Sequence, residues 1–275
     1  MTVAVEPPHQ DVTPDRASPS AEAGGSRRRA SVLGVPIDVV SRRAALDRVL
    51  DWAARRESRV VCHANTHSVI TARDDRAFAE VLEAADLATP DGMPVAWLIR
   101  ALGDEAQQRV DGPDMMWSLC EAAAARGDGV FLYGGAPETL ERLVLRLREA
   151  FPALVIAGHH SPPFRPLTIE EDEADVARIN ASGARLLFVG LGCPRQEAWM
   201  HARRGRIQAV MLGVGAAFDF HAGTVRRAPR WMRDNGLEWL HRLVSEPRRL
   251  WKRYLVVNTR FIAGAARQLL GGRRG

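Results

Sequence analysis

Leu186-Leu187-Phe188-Val189-Gly190-Leu191-Gly192-Cys193-Pro194-Arg195-Gln196-Glu197 reads as a buried strand, a glycine turn and the opening of a helix. Four apolar residues in a row suit a strand covered on both faces, and the glycines give the chain a tight exit from it. Arg195, Gln196 and Glu197 then stand in the first helical turn, where free backbone N–H donors also point outward. Parallel α/β sheets gather such turns along one edge, and polar groups collected there bind anionic ligands. The stretch predicts a parallel sheet and a site for a phosphate-bearing substrate.

The same pattern recurs on both sides. Strands are expected over 59–64, 129–133, 154–157, 185–189 and 208–214, with an edge strand at 31–37. Helices are expected over 42–55, from the first core loop through 79, and over 95–101, 137–150, 169–182 and 194–204. Between two of these helices, Leu87-Ala88-Thr89 runs into Pro90-Asp91-Gly92-Met93-Pro94, and Pro94 suits a first helical turn. Strands separated by helices of this length need right-handed crossovers, so the fold class is α/β: a Rossmann-like, mostly parallel sheet with helices on both faces. Past Gly223, residues 230–244 and 247–270 read as helices. The second carries Leu250, Tyr254, Val257, Phe261, Ala265 and Leu269 at spacings of three or four. Arg248, Lys252, Arg253, Arg260 and Arg267 lie mostly off that stripe, with Trp251 near its start, which makes a basic amphipathic helix suited to a lipid surface. The domain plan is a disordered leader at 1–30, an α/β core at 31–222 and a helical basic appendage at 223–275.

With 275 residues, 46% of them hydrophobic, the chain can bury a substantial core without disulfides. Its three cysteines, Cys62, Cys120 and Cys193, are widely spaced and read as reduced thiols in a cytosolic protein, not as a zinc site. Residues 1–30 are rich in Pro, Ser, Ala and Gly without a periodic apolar face, and lack the apolar segment of a signal peptide. No segment approaches the roughly 20 apolar residues of a spanning helix. Residues 223–275 hold 13 Arg plus Lys against 3 Asp plus Glu, a net +10, while the whole chain is +5. An acidic body with a basic tail favours a partner with a phosphate surface, nucleic acid or anionic lipid.

Asp91 is the strongest catalytic candidate, a carboxylate between Pro90 and Gly92 in a loop that can hold it rigidly as a general base. The bland alternative is an ordinary Asp-Gly turn. In Arg109-Val110-Asp111-Gly112-Pro113-Asp114, Arg109 can meet a phosphate and Asp114 can cap a helix beginning near Met115. Tyr133-Gly134-Gly135 resembles part of a nucleotide loop, yet the chain lacks both G-x-G-x-x-G there and a P-loop sequence. In the opening stretch, Glu197 is placed to satisfy helix N–H groups, Gln196 to pair with a nucleotide or sugar, Arg195 to neutralise phosphate, and Trp199 to pack. Asn65, Thr66 and His67 follow the first core strand and can orient an acceptor sugar. Asp219 and His221 do not amount to a metal site.

Taken together and in order, these motifs resemble the WecG/TagA/CpsF family of bacterial glycosyltransferases, which includes GumM-type enzymes. The resemblance spans roughly residues 32–254. It is carried by Asn65, Asp91-Gly92, Arg109 to Asp114, Leu132-Tyr133-Gly134-Gly135 and Gly190 to Glu197. Gly213 to Gly223, Arg227-Ala228-Pro229, Gly236-Leu237-Glu238-Trp239, Arg242-Leu243 and Glu246-Pro247-Arg248 complete it. The resemblance implies inverting transfer of a sugar from a UDP-sugar to a saccharide on polyprenyl diphosphate, in surface-polysaccharide or cell-wall polymer synthesis. It further implies no essential metal and a peripheral enzyme on the cytoplasmic face of the bacterial membrane. Apart from the resemblance, no cofactor is expected, and Leu and Trp on several predicted helices are material for a homo-oligomer interface.

On that resemblance Asp91 matches the base. Tyr133, Gly134, Gly135, Gly192, Arg195, Gln196, Glu197 and Arg109 are expected at the donor, and His63, Asn65, Thr66 and His67 at the acceptor. One or more of Arg227, Arg230, Arg242 and Arg248 is expected to compensate the departing diphosphate. Two departures are visible: His63 stands where relatives often carry a substrate-contacting threonine, and Arg195 stands for the lysine of Pro-Lys-Gln-Glu. The rival readings are a nucleotide-responsive nucleic-acid-binding protein without activity, disfavoured by the lack of any helix-turn-helix or zinc-finger pattern, and an NAD-dependent enzyme, disfavoured by the incomplete glycine fingerprint.

Overall fold

The computed structural model describes residues 27–271. The leader expected at 1–30 lies outside the described residues except for 27–30, of which Arg29 and Ala30 already belong to a strand. Where sequence predicts one edge strand, the chain forms a hairpin, β1 (Arg29–Val32) and β2 (Val35–Asp38), paired antiparallel. Its two-residue turn holds Leu33 and Gly34 both at positive φ, the geometry whose twist matches a hairpin. The hairpin stands on the buried Asp38, whose carboxylate accepts from the Ala88 N–H at 2.6 Å and pairs with Arg27.

Six strands, β3 (Arg59–Ala64), β4 (Leu87–Pro90), β5 (Gly129–Gly134), β6 (Val155–His160), β7 (Leu186–Gly190) and β8 (Val210–Gly213), form one sheet in the order β4-β3-β8-β7-β5-β6. Every neighbouring pair is parallel. Dinucleotide-binding sheets instead run 3-2-1-4-5-6. Alternate residues of each strand feed opposite cores: Leu187 and Val189 face one, Leu186 and Phe188 the other. The first core is closed by α2 (Thr66–Asp74), α3 (Arg76–Ala84), α4 (Met93–Ala101), α7 (Ile169–Ala181) and α8 (Arg195–Ala202). The second is closed by α1 (Arg42–Ala54), α5 (Gly112–Arg126), α6 (Pro137–Ala150) and α9 (Ala217–Ala222). Steps toward β4 use helices of the first face and steps toward β6 use α5 and α6 of the second, as right-handed crossovers require.

Two expected helices are broken. The run through residue 79 splits into α2 and α3 because the Asp75 side chain caps a new start, accepting from the N–H groups of Ala77 and Phe78. The run 230–244 splits into α10 (Arg230–Asp234) and α11 (Glu238–Ser245) at Gly236, which sits at φ +69 with no room for a Cβ against Trp97. Helix α12 (Pro247–Gly271) then folds back across α2. Its expected apolar stripe is consumed by the fold: Leu250, Val257 and Phe261 are buried, and Ala265 and Leu269 pack on the first core. Gln268 locks its far end to the hairpin, accepting from the Leu33 N–H at 2.9 Å and donating to the Ser31 carbonyl at 2.6 Å. The apolar side chains left exposed on this helix are others, among them Trp251, Leu255 and Ile262. No described helix is long and apolar enough to cross a membrane.

Candidate active site

The parallel register brings Ala64, Pro90, Gly134, Gly190 and Gly213 to a common edge, because Ala64 pairs with Pro90, Gly134 with Gly190 and Val189 with Gly213. The loops leaving that edge, with side chains of α10, α11 and α12 facing them, enclose a cavity of about 560 Å³. Close packing at its floor depends on glycine. A Cβ on Gly190 would lie 2.6 Å from the Phe218 ring, and one on Gly134 would lie 2.8 Å from the Gly190 backbone.

Asp91 lines this cavity. Its backbone N–H donates to the Ala64 carbonyl at 3.0 Å, which fixes the loop to β3, and Gly92 turns the chain at φ +82. The half-buried carboxylate makes no hydrogen bond or ion pair among the described residues. Burial and the neighbouring Asp111 charge push its pKa up to about 7, against the opposing pull of Arg109. A carboxylate left unpaired and weakly acidic suits proton abstraction near neutral pH.

Charge surrounds it. Arg109 pairs with Asp111 at 2.7 Å and with Glu238 of α11 at 2.9 Å. Although burial works against its charge, those carboxylates win and hold the guanidinium above its ordinary pKa. Asp111 caps α5 through the Asp114 N–H, and despite burial Arg227 and Arg109 hold its carboxyl well below the usual range. Arg227 is tied to Asp111 at 2.7 Å and to Asp114, and its side chain does not line the cavity. The cavity's cations are Arg109, Arg233 and Arg242. Arg233 has one loose carboxylate partner, Asp114 at 3.4 Å, and burial lowers its pKa. Arg242 reaches Glu246 at 3.7 Å and lies over the Phe220 ring. Arg230 and Arg248 are exposed and away from the cavity wall.

The remaining expected residues divide. His63, Asn65, Thr66 and His67 all line the cavity, as do Gly135, Gly192, Gln196 and Glu197. Asn65 spends its side-chain oxygen capping α2, accepting from the N–H groups of His67 and Ser68, so its amide nitrogen is what it can offer a ligand. Gln196 accepts from the Gly192 N–H at 3.2 Å and donates to Glu197 at 2.9 Å, which shapes the glycine turn. Glu197 is buried, and burial raises its pKa. Tyr133 is not at the cavity: it lies in the first core, stacked on Trp199, with its hydroxyl donating to Asp175 at 2.7 Å. Gly134 serves the sheet edge, and Arg195 borders a small side pocket shared with Pro162, Pro163 and Phe164. Phe164 is 78% exposed and lines both spaces. Sequence reasoning gave no role to Phe164, Arg233 or Glu238. Arg233 is one of several arginines in a basic run, and only the fold shows that it, unlike Arg227 and Arg230, stands on the cavity wall.

The carboxyl end of a parallel sheet, with an unpaired carboxylate and three arginines on the wall of its cleft, makes this an α/β protein with a site suited to an anionic ligand. The chain matches the Glycosyl transferase WecG/TagA/CpsF family over residues 30–275 and belongs to it. Membership brings the general reaction, glycosyl transfer from a sugar-nucleotide donor to an acceptor in polysaccharide biosynthesis.

Proposed function

We propose that this protein is an inverting, metal-independent glycosyltransferase that moves a sugar from a UDP-sugar to a saccharide on polyprenyl diphosphate, in the synthesis of a bacterial surface polysaccharide or cell-wall polymer. The observation that carries the reading is Asp91, a cavity carboxylate free of hydrogen bonds with its pKa near 7 and arginines close by. Asp91 takes the proton of an acceptor hydroxyl, and the oxygen's electron pair forms a bond to the donor's anomeric carbon. The bond from that carbon to the diphosphate breaks on the opposite face, and its electrons leave with UDP. Arg233 and Arg242, with Arg109 behind them, compensate the growing charge on the leaving group. Phe164, exposed at the rim beside Arg195, offers the donor's base a stacking surface. His63, Asn65, Thr66 and His67 stand on the acceptor side, next to the loop of Asp91.

The elements after residue 223 act as the appendage that covers the cavity, through Arg233, Glu238, Trp239, Arg242, Tyr254 and Asn258. Exposed Trp231, Trp251, Leu255 and Ile262, with Arg248 and Lys252 beside them in sequence, support docking on anionic lipid at the cytoplasmic membrane face, where a polyprenyl-linked acceptor resides. A panel of UDP-sugars against short-chain polyprenyl-diphosphate sugars, with and without chelator, tests the reading. One donor–acceptor pair should release UDP and give an anomerically inverted product, unaffected by chelation. Transfer only to water or soluble sugars, or turnover abolished by chelator and restored by one metal, would overturn it.

A further inference from the structure

Helix α12 turns an apolar stripe onto the body of the protein, with Leu250, Val257 and Phe261 buried and Ala265 and Leu269 packed on the first core. Asn258 falls inside that stripe, four residues after Tyr254 and three before Phe261, where an apolar side chain would continue the burial. Asparagine is also one of the weaker helix formers, because its side chain competes for backbone groups. Asn258 does not compete in this way: among the described residues its amide has no hydrogen-bond partner. The half-buried side chain opens on the cavity instead. The other two carboxamides of the cavity wall spend their oxygens inside the fold, Asn65 in capping α2 and Gln196 in holding the Gly192 N–H. The place of Asn258 is fixed from both sides. Val257 and Phe261 are buried next to it, and Arg260 pairs with both carboxylate oxygens of Asp74 in α2.

We propose that Asn258 is a specificity-determining residue for the acceptor sugar, its amide accepting one hydrogen bond from that sugar and donating another to it. This proposal rests on the transferase reading above. A carboxamide is neutral and carries a donor and an acceptor, so its natural complement carries both as well. Hydroxyl and acetamido groups of a sugar meet that demand, whereas diphosphate oxygens only accept and would leave the amide oxygen without a partner. The location favours the acceptor. Helix α12 packs on α2, whose first residues, Thr66 and His67, form the acceptor side of the wall. Asn258 lines the main cavity and not the side pocket of Phe164 and Arg195, where the donor's base is placed. Helix α12 therefore reads the acceptor sugar in addition to covering the site.

Asn258→Ala removes an amide through which the fold makes no hydrogen bond, and Asn258→Asp keeps the shape while replacing the donor with a second acceptor. We expect each to raise KM for the lipid-linked acceptor about tenfold with donor KM unchanged. N258A should melt no lower than wild type, because alanine is the better helix former. Calorimetric binding of a short-chain polyprenyl-diphosphate sugar, with donor absent, should weaken about tenfold in N258A. Acceptor analogues lacking one hydroxyl or one acetamido group locate the partner: wild type should disfavour one of them about tenfold, and N258A should treat it like the parent. An acceptor KM matching wild type in both variants, a rise in donor KM alone, unaltered discrimination among the analogues, or a melting temperature several degrees lower with acceptor binding intact would overturn the assignment. In each of those cases wild-type transfer leaves the transferase reading standing. Wild type that neither binds nor uses any lipid-linked sugar would overturn that reading, and the assignment with it.

Discussion

Replacing Asp91 with asparagine should abolish transfer and at the same time stabilise the protein. Raising a carboxyl from its ordinary 3.8 to about 7 makes ionisation in the folded state about 4 kcal/mol less favourable than in the unfolded chain. Solvent reaching the half-buried side chain screens this, so about 2 kcal/mol is the working figure. The sign follows from the direction of the shift. A carboxyl whose folded pKa is raised costs no stability below pH 4, and the cost grows until the pH passes 7. An asparagine of nearly the same shape carries no such cost, so the melting temperatures of D91N and wild type should converge toward pH 4. They should separate progressively up to pH 8, where the variant leads by about 4–8 °C. Thermal melts at four pH values, paired with UDP-release assays, read both effects. A gap independent of pH, or a stabilised variant that still turns over, would refute the reasoning.

Arg233→Ala and Arg242→Ala should each lower kcat/KM about 100-fold with little change in melting temperature, because both face the cavity with only loose acidic partners. Arg227→Ala should behave oppositely in melts: loss of its bonds to the buried Asp111 costs about 3 kcal/mol and several degrees. Combined Trp251→Ser, Leu255→Ser and Ile262→Ser should cut sedimentation with anionic liposomes by more than tenfold, leaving the melt unchanged since all three are exposed. Gly236→Ala should lower activity through misplacement of Arg233, Glu238 and Arg242, because its Cβ would meet Trp97 at 2.6 Å; wild-type kinetics would show that the turn tolerates it.

The sheet was readable from sequence where glycine and proline punctuate apolar runs: β3 spans the expected 59–64, and β7 lies within a residue of its expected bounds. The hairpin was hidden because its turn uses Leu33 at positive φ, where asparagine or glycine is the usual signal. The breaks at Asp75 and Gly236 were missed since hydrophobic spacing runs on through them, and only the local cap or the clash with Trp97 interrupts the helix. Strand order depends on pairings distant in sequence and leaves no local trace. In the site, the polar residues of the β3, β4 and β7 loops were found because each loop begins where a strand ends. Which arginine faces the cavity was not readable: Arg227 and Arg233 look alike in sequence and differ in the carboxylates that hold them. The stripe on α12 was visible, but an amphipathic pattern is the same whether its apolar face meets lipid or the protein's own core.

The pH dependence of kcat/KM for UDP release, with the lipid-linked acceptor varied at saturating donor, tests Asp91 as the base most directly. An acid limb rising tenfold per pH unit and levelling off near pH 7 is expected, and D91N should lack both the limb and the activity. A rate flat from pH 5 to 8, or a limb that survives in D91N, would contradict it.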